Sequence, residues 1–144
     1  AEPEIISQIL KVKSQMDSGM FKPMQLAAVH ALAQGPEWFS ELNAGYAERK
    51  VAAGRIFDLL GVDYDHDSSG LFLWGHVRGD NAFLTGDGSA SLGERLSDRL
   101  LYDAGVFITP GFIFGENGRD YVRISLCAKT EVLAEAENRI NICK

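Results

Sequence analysis

The sequence lacks the features that mark several classes of protein. Its 144 residues include only two cysteines, Cys127 and Cys143, which are too few for a disulfide framework and lack the spacing of a metal-binding pair. No apolar run approaches the roughly 20 residues that a membrane-spanning helix needs. Basic residues are outnumbered, 14 against 20 acidic ones, for a net charge of −6, whereas nucleic-acid binding requires a basic surface. We therefore expect a cytoplasmic protein with free thiols and with no nucleic-acid or membrane partner.

Sequence patterns for metal and nucleotide sites are missing as well. The histidines share no ligand spacing, and there is no P-loop, GxGxxG or GxSxG sequence. The run Asp63-x-Asp65-x-Asp67 begins like a calcium loop. However, Ser68 stands where that loop needs glycine, and Trp74 stands where it needs a bidentate glutamate. The sequence therefore predicts a solvated acidic turn and no metal site.

Apolar residues recur at helical spacing through the first part of the chain. They predict a helix over 3–16, with Pro3 at its first position. A second helix is predicted over 23–33, which is rich in alanine and leucine. A third helix is predicted from Pro36 to Leu60. At 1.5 Å per residue it would be about 36 Å long, which is typical of a helix that bridges two domains or two edges of one sheet.

The rest of the chain alternates strand patterns with helical ones. Strands are predicted at 70–77, 106–108 and 121–126. The capping box Ser91-x-x-Glu94 begins a helix that should end before Gly105, and Thr130 caps a last helix. The pattern predicts an α+β fold in which a small, mostly antiparallel sheet has helices packed on one face and follows the long helix.

Arg123 is the residue whose position suggests a chemical role. Strand alternation places Val122 and Ile124 on the face that the helices should cover. Arg123 then points off the core, toward the Pro110–Phe114 loop. One interpretation is a solvated arginine on an open sheet face. The other is a guanidinium fork for a carboxylate, because arginine supplies bidentate geometry best.

Four sequence blocks stand in the order and spacing of one enzyme family. They are Lys11–Pro23 with Gln25–Ala28, the helical Tyr46-x-x-Arg49-Lys50, the strand Ser69–Trp74, and a closing run of Gly105–Gly111, Phe114-Gly115 and Tyr121–Ser125. Together these blocks resemble the C-terminal small domain of the fold-type-I pyridoxal-phosphate-dependent aminotransferases, in the class I/II aspartate aminotransferase superfamily. The resemblance covers nearly the whole chain.

The resemblance implies roles for individual residues in a full-length parent enzyme. Arg123 would bind the α-carboxylate of the substrate, and Ser69 and Gly70 would line the substrate site. Ser18 and Gly19 would lie toward the cofactor in the active site of a partner subunit, since a homodimer is implied. The substrates would be an amino acid and a 2-oxo acid, between which the parent transfers an amino group.

The resemblance also implies that half of the enzyme lies elsewhere. Residues 1–35 would end the large-domain or interface segment, and 36–144 would form the small domain. The family's cofactor lysine lies in a Ser-[Leu/Phe]-Ser-Lys block that this sequence lacks. Pyridoxal phosphate is therefore expected in the parent enzyme, whose large domain would hold it. The chain alone should bind no cofactor and should be inactive. The start at Ala1 rather than at methionine favours a fragment.

Two other hypotheses stay open from the residues themselves. A free-standing α+β module could use Arg123 as a carboxylate anchor, or the chain could be an interaction domain with no small-molecule site. The identity of the amino acid is not predicted, since side-chain selectivity would depend largely on the absent half.

Overall fold

The computed structural model describes residues 2–17, 19–84 and 88–143. The chain divides into two compact units, Ala1–Ser40 and Glu41–Lys144. The domain boundary expected between residues 35 and 36 stays a prediction, since the units divide within a helix, after Ser40.

The first unit is helical and has no buried interior among its described helices. Helix α1 spans Pro3–Met16 and α2 spans Lys22–Leu32, with a proline near the start of each. Helix α3, Pro36–Leu60, begins in this unit. These bounds confirm the three predicted helices to within a residue. No residue of α1 or α2 is buried, so the apolar stripe that predicted α1 is exposed along its length.

The second unit contains the rest of α3, a four-stranded sheet and two further helices. In chain order its elements are β1 (Asp63–Tyr64), β2 (Phe72–His76), α4 (Leu92–Arg99) with a π-helical turn (Leu100–Ala104), β3 (Thr109–Pro110), 3₁₀ turns at Gly111–Phe114 and Glu116–Gly118, β4 (Tyr121–Ser125) and α5 (Thr130–Ile142). The strand order is β1-β2-β4-β3, and every pairing is antiparallel. The α+β prediction with a small antiparallel sheet is confirmed.

One hydrophobic core lies between the inner face of this sheet and the helices. Val122 and Ile124 of β4 have only 0% and 5% of their surface exposed, as strand alternation predicts. The helices contribute residues at helical spacing, namely Ile56, Phe57, Leu60, Leu96, Leu100, Leu133 and Ile140. Burying a side chain of this size stabilises the fold by about 1.5–3 kcal/mol. The core therefore packs against one face of the sheet, and the helices of this core leave the opposite face uncovered.

Glycine is required where β2 meets α3. A Cβ added at Gly75 would lie 2.4 Å from Val62 Cγ1 and 2.9 Å from the Phe57 ring. These distances are shorter than van der Waals contact, so no larger residue fits without moving the core. The absence of a side chain here lets the strand approach the helix closely.

The third strand is not where the sequence placed it. Residues 106–108 were expected to pair, but the pairing occurs in β3, immediately after them. The reason is hydrogen bonding to α4 and its π-helical turn: the Ser97 hydroxyl donates to the Ile108 carbonyl at 2.6 Å, and the Val106 N–H donates to the Leu100 carbonyl at 3.0 Å. Backbone groups used in this way cannot join the ladder.

Candidate functional site

The face of the sheet away from the core is built by alternate residues of β2 and β4. Their burial alternates along both strands. The outward residues, paired across the ladder, are Phe72 with Ser125, Trp74 with Arg123, and His76 with Tyr121. Arg123 therefore lies in the middle of a mostly aromatic surface, off the core, where strand alternation predicts it.

Aromatic rings cover much of this open face and contact one another. The ring centroids of Trp74 and Tyr121 are 5.5 Å apart with the planes nearly parallel at 18°. Phe114 meets Trp74 edge-on at 5.6 Å, and His76 lies 5.0 Å from Tyr121. Such pairs contribute about 0.5–1.5 kcal/mol each beyond the area they bury. The surroundings of Arg123 are thus an ordered apolar layer.

The guanidinium of Arg123 packs against two phenyl rings. Its Cζ lies 4.1 Å from the ring centroid of Phe72 and 4.4 Å from that of Phe114. The Nε atom is buried and has no hydrogen-bond partner among the described residues. Leaving a donor buried and unsatisfied costs about 1–3 kcal/mol, and more for a charged group. Arg123 is therefore a cation with one buried donor that no described residue satisfies.

Close glycine contacts place Phe114 beside Arg123. A Cβ at Gly111 would lie 2.3 Å from the Gly118 carbonyl oxygen, and one at Gly118 would lie 2.2 Å from the Gly111 oxygen. Gly115 has φ +128°, a conformation that side-chain-bearing residues rarely adopt. The two 3₁₀ turns can therefore fold against each other and bring Phe114 over the sheet. The Pro110–Phe114 loop lies where it was expected, next to Arg123.

Helix α3 holds the chain at the ends of both site-bearing strands. Lys50 Nζ donates to the Ser68 carbonyl at 2.7 Å, just before β2, and Arg49 Nη1 donates to the Leu126 carbonyl at 3.3 Å, just after β4. The guanidinium of Arg49 also lies 5.3 Å from the ring centroid of Tyr46. The Tyr46-x-x-Arg49-Lys50 block thus fixes the chain on both sides of the site.

The other predicted site residues are placed as follows. Ser69 and Gly70 are exposed, directly after the turn that Lys50 holds, and Gly70 has φ +100°, which favours glycine. Gly19 is exposed in the first unit, also at positive φ, and Ser18 lies outside the described residues. A substrate or cofactor role for these residues stays a prediction.

The acidic turn after α3 is held by its own local bonds. The Asp67 N–H donates to Asp65 Oδ1 at 2.9 Å. Burial, and then the neighbouring Asp58 carboxylate, raise the pKa of Tyr64.

In the described part of the chain no group of three His, Cys, Asp or Glu could hold a metal ion. No described helix is both long and apolar enough to cross a membrane.

Sequence reasoning identified Arg123 but missed the two rings that hold it. A signal for Phe72 was available, because alternation in β2 puts it on one face with Trp74. Recognising that this is also the face of Arg123 requires the register between β2 and β4. The sequence directed Arg123 toward the loop that contains Phe114, but the ring contact itself was not predicted, since it depends on the approach of Gly111 to Gly118.

Comparison with known proteins gives matches along nearly the whole chain. A family model, aminotransferase class I and II, matches residues 1–140. The LL-diaminopimelate aminotransferase of Aquifex aeolicus is 35% identical over 141 residues, which are 98% of this chain and 34% of the relative. The LL-diaminopimelate aminotransferase of Natranaerobius thermophilus is 31% identical over 135 residues, which are 94% of this chain and 32% of the relative.

A solved structure, apo-BacF from Bacillus subtilis, superposes on this chain with a TM-score of 0.73 at 30% sequence identity. The match covers 99% of this chain and 36% of the BacF chain. The chain therefore spans about a third of the length of the curated relatives it matches.

Proposed function

Since the chain belongs to the aminotransferase class I and II family, we propose that it is the C-terminal part of a pyridoxal-phosphate-dependent aminotransferase. The full-length enzyme transfers an amino group between an amino acid and a 2-oxo acid. Residues 36–144 serve as its small domain, and 1–35 end the large-domain segment. Arg123 binds the α-carboxylate of the substrate, with Ser69 and Gly70 lining the site.

One observation supports this role most strongly: the guanidinium of Arg123 is ordered by its packing yet lacks a partner. It stacks against Phe72 and Phe114, and its buried Nε makes no hydrogen bond to a described residue. A planar carboxylate matches the guanidinium fork that this packing orders. A surface arginine with a purely solvating role would have Nε in water.

The same contact serves both directions of the reaction. The amino acid and the 2-oxo acid formed from it keep the same α-carboxylate, and only the neighbouring carbon changes. One arginine can therefore bind and orient the donor and the acceptor. A charge-assisted hydrogen bond contributes about 1.5–3 kcal/mol, and the aromatic layer around Arg123 strengthens it by keeping water away.

None of the described lysines is placed as a cofactor lysine would be. Pyridoxal phosphate is bound as a Schiff base to a lysine, with a second residue tuning its ring nitrogen, and it supplies the electron sink for the reaction. Among the described lysines, Lys13 pairs with Asp17 on an exposed helix, Lys50 donates to the Ser68 carbonyl, and Lys11, Lys22 and Lys129 are exposed. No step through the cofactor is therefore assigned to this chain.

The proposal includes a cytoplasmic homodimer. The exposed apolar faces of α1 and α2 support it, because large exposed patches mark interaction surfaces. Ser18 and Gly19 would then lie toward the partner subunit's cofactor site.

The direct test is a transamination assay on the full-length protein that contains this chain. The protein is supplied with pyridoxal phosphate, 2-oxoglutarate and single amino acids, beginning with LL-diaminopimelate because curated relatives carry that name. Formation of glutamate is followed by mass spectrometry. We expect transfer from at least one amino acid. A reading frame that begins at Ala1, together with carboxylate binding and no transfer, would favour a free-standing carboxylate-binding module instead.

A further inference from the structure

The aromatic contacts of Arg123 carry an inference about residues that no comparison assigns. We propose that Phe72 and Phe114 are positioning residues, whose rings hold the guanidinium of Arg123 in the orientation that receives the carboxylate. This inference rests on the proposed function for its chemical meaning. The holding contact itself can be tested without it.

The two rings reach Arg123 from elements on the two sides of β4. Phe72 belongs to β2, which pairs with β4 along one edge, and Phe114 ends the 3₁₀ turn that follows β3, the neighbour along the other edge. The centroid distances of 4.1 and 4.4 Å to Cζ are well inside the range of about 6 Å in which a guanidinium is attracted to a ring face. Arg123 is therefore held from both neighbouring elements.

Neither ring is needed for the hydrophobic core. Phe72 is 42% exposed and Phe114 is 51% exposed, and neither belongs to the cluster of buried residues between the sheet and the helices. What each ring contacts is the outward face: Phe114 meets Trp74, and both pack against Arg123. Their contribution is therefore local to the arginine.

The contact has a consequence for binding. An arginine side chain has many rotamers, and an unheld side chain would lose that freedom each time a carboxylate binds. Rings that fix the guanidinium beforehand remove part of that loss, the general effect of preorganisation.

The test replaces each ring by an aliphatic side chain in the full-length protein. Phe72→Leu and Phe114→Leu keep an apolar group but remove the ring face, while Phe72→Tyr and Phe114→Tyr keep it. Phe112→Leu is the matched control: Phe112 lies in the same 3₁₀ turn, is 41% exposed, and makes no cation–π contact with Arg123 in the described structure.

The first readout is the rate at which phenylglyoxal modifies Arg123, measured by peptide mass spectrometry. Arg119, which is exposed in a surface ion pair, is the standard within the same protein. We expect the leucine variants to raise the Arg123 rate about 2- to 30-fold, the range that corresponds to one cation–π contact. The tyrosine variants and Phe112→Leu should leave it unchanged. Acetate, used as a carboxylate probe, should protect Arg123 less well in the leucine variants.

The second readout is kcat/KM for the amino acid that the enzyme uses. It should fall by a similar factor in the leucine variants, mainly through KM, and the fall should vanish when Arg123 is already lysine. An unchanged modification rate in both leucine variants would overturn the inference, as would an equal rise in Phe112→Leu or unfolding of both variants, which would make the rings core residues. If the rates change as expected but Arg123→Lys leaves kcat/KM intact, the holding contact stands and the proposed function fails.

Discussion

Replacing Arg123 by lysine in the full-length protein is the sharpest test of the carboxylate site. Lysine keeps the positive charge, so general electrostatic attraction of the substrate is retained. It loses the planar fork, because an ammonium group cannot donate two parallel hydrogen bonds to one carboxylate. It also has no flat surface to lie against Phe72 and Phe114, which are 4.1 and 4.4 Å from the guanidinium carbon.

The magnitude follows from the hydrogen bond that is lost. A bond between charged partners contributes about 1.5–3 kcal/mol to stability or binding, so losing one lowers kcat/KM by about 10- to 150-fold. The fall should appear with the amino acid and with the 2-oxo acid, since both present the same carboxylate. A matching amine without a carboxylate should be used equally poorly by the variant and by the unaltered enzyme.

The assay measures kcat/KM for each substrate of a half-reaction, with Arg119→Lys as the control. Arg119 is paired with Glu116 at 3.3 Å on the surface of the same unit, and a surface pair of this kind is worth about 0–1 kcal/mol. Its replacement should leave kcat/KM unchanged. An Arg123→Lys enzyme with full kcat/KM would refute the assignment. So would a structure of the full-length protein in which Arg123 forms a permanent buried salt bridge inside this unit.

Four further predictions concern stability, cofactor binding and self-association. Gly75→Ala should destabilise the protein by about 1–3 kcal/mol because its Cβ would lie 2.4 Å from Val62 Cγ1, and Ser97→Ala should lose about 1–3 kcal/mol by leaving the Ile108 carbonyl unpaired. Denaturant unfolding measures both, and a loss below about 0.5 kcal/mol would contradict the packing described. The 144-residue chain mixed with pyridoxal phosphate and dialysed should show no borohydride-reducible band on a single lysine; a stoichiometric band would contradict the fragment assignment. The same chain should self-associate in light scattering because no residue of α1 or α2 is buried, and a clean monomer would count against that.

Local patterns in the sequence were sufficient to predict much of this fold. Apolar spacing predicted α1 and α3, alanine and leucine content predicted α2, and alternation in β4 correctly placed Arg123 off the core, since these signals depend on neighbours a few residues away. The shift of the third strand was not predictable in this way. It depends on the Ser97 hydroxyl reaching Ile108 across eleven residues, a contact that exists only once the helix is packed on the sheet.

The site divides in the same manner between local and non-local information. The strand pattern gives the direction of Arg123, whereas its contacts depend on the register of β2 against β4 and on the meeting of Gly111 with Gly118. Neither of these is a property of one segment. An arginine on an open sheet face and an arginine packed between rings therefore look alike in sequence, and the contacts with Phe72 and Phe114 are seen only in the structure.

The pairing of the other arginines strengthens the distinction. In an acidic chain with 20 aspartates and glutamates, a carboxylate partner is readily available, and among the described residues at least five arginines have one: Arg55, Arg78, Arg99, Arg119 and Arg139. Arg123 has none among the described residues, although its Nε is buried. If Arg123 served only the fold, an acidic neighbour would stabilise it by satisfying that donor. A built-in acid would compete with a substrate carboxylate for the same fork, so an Arg123 with no acidic partner among the described residues is compatible with the proposed carboxylate site.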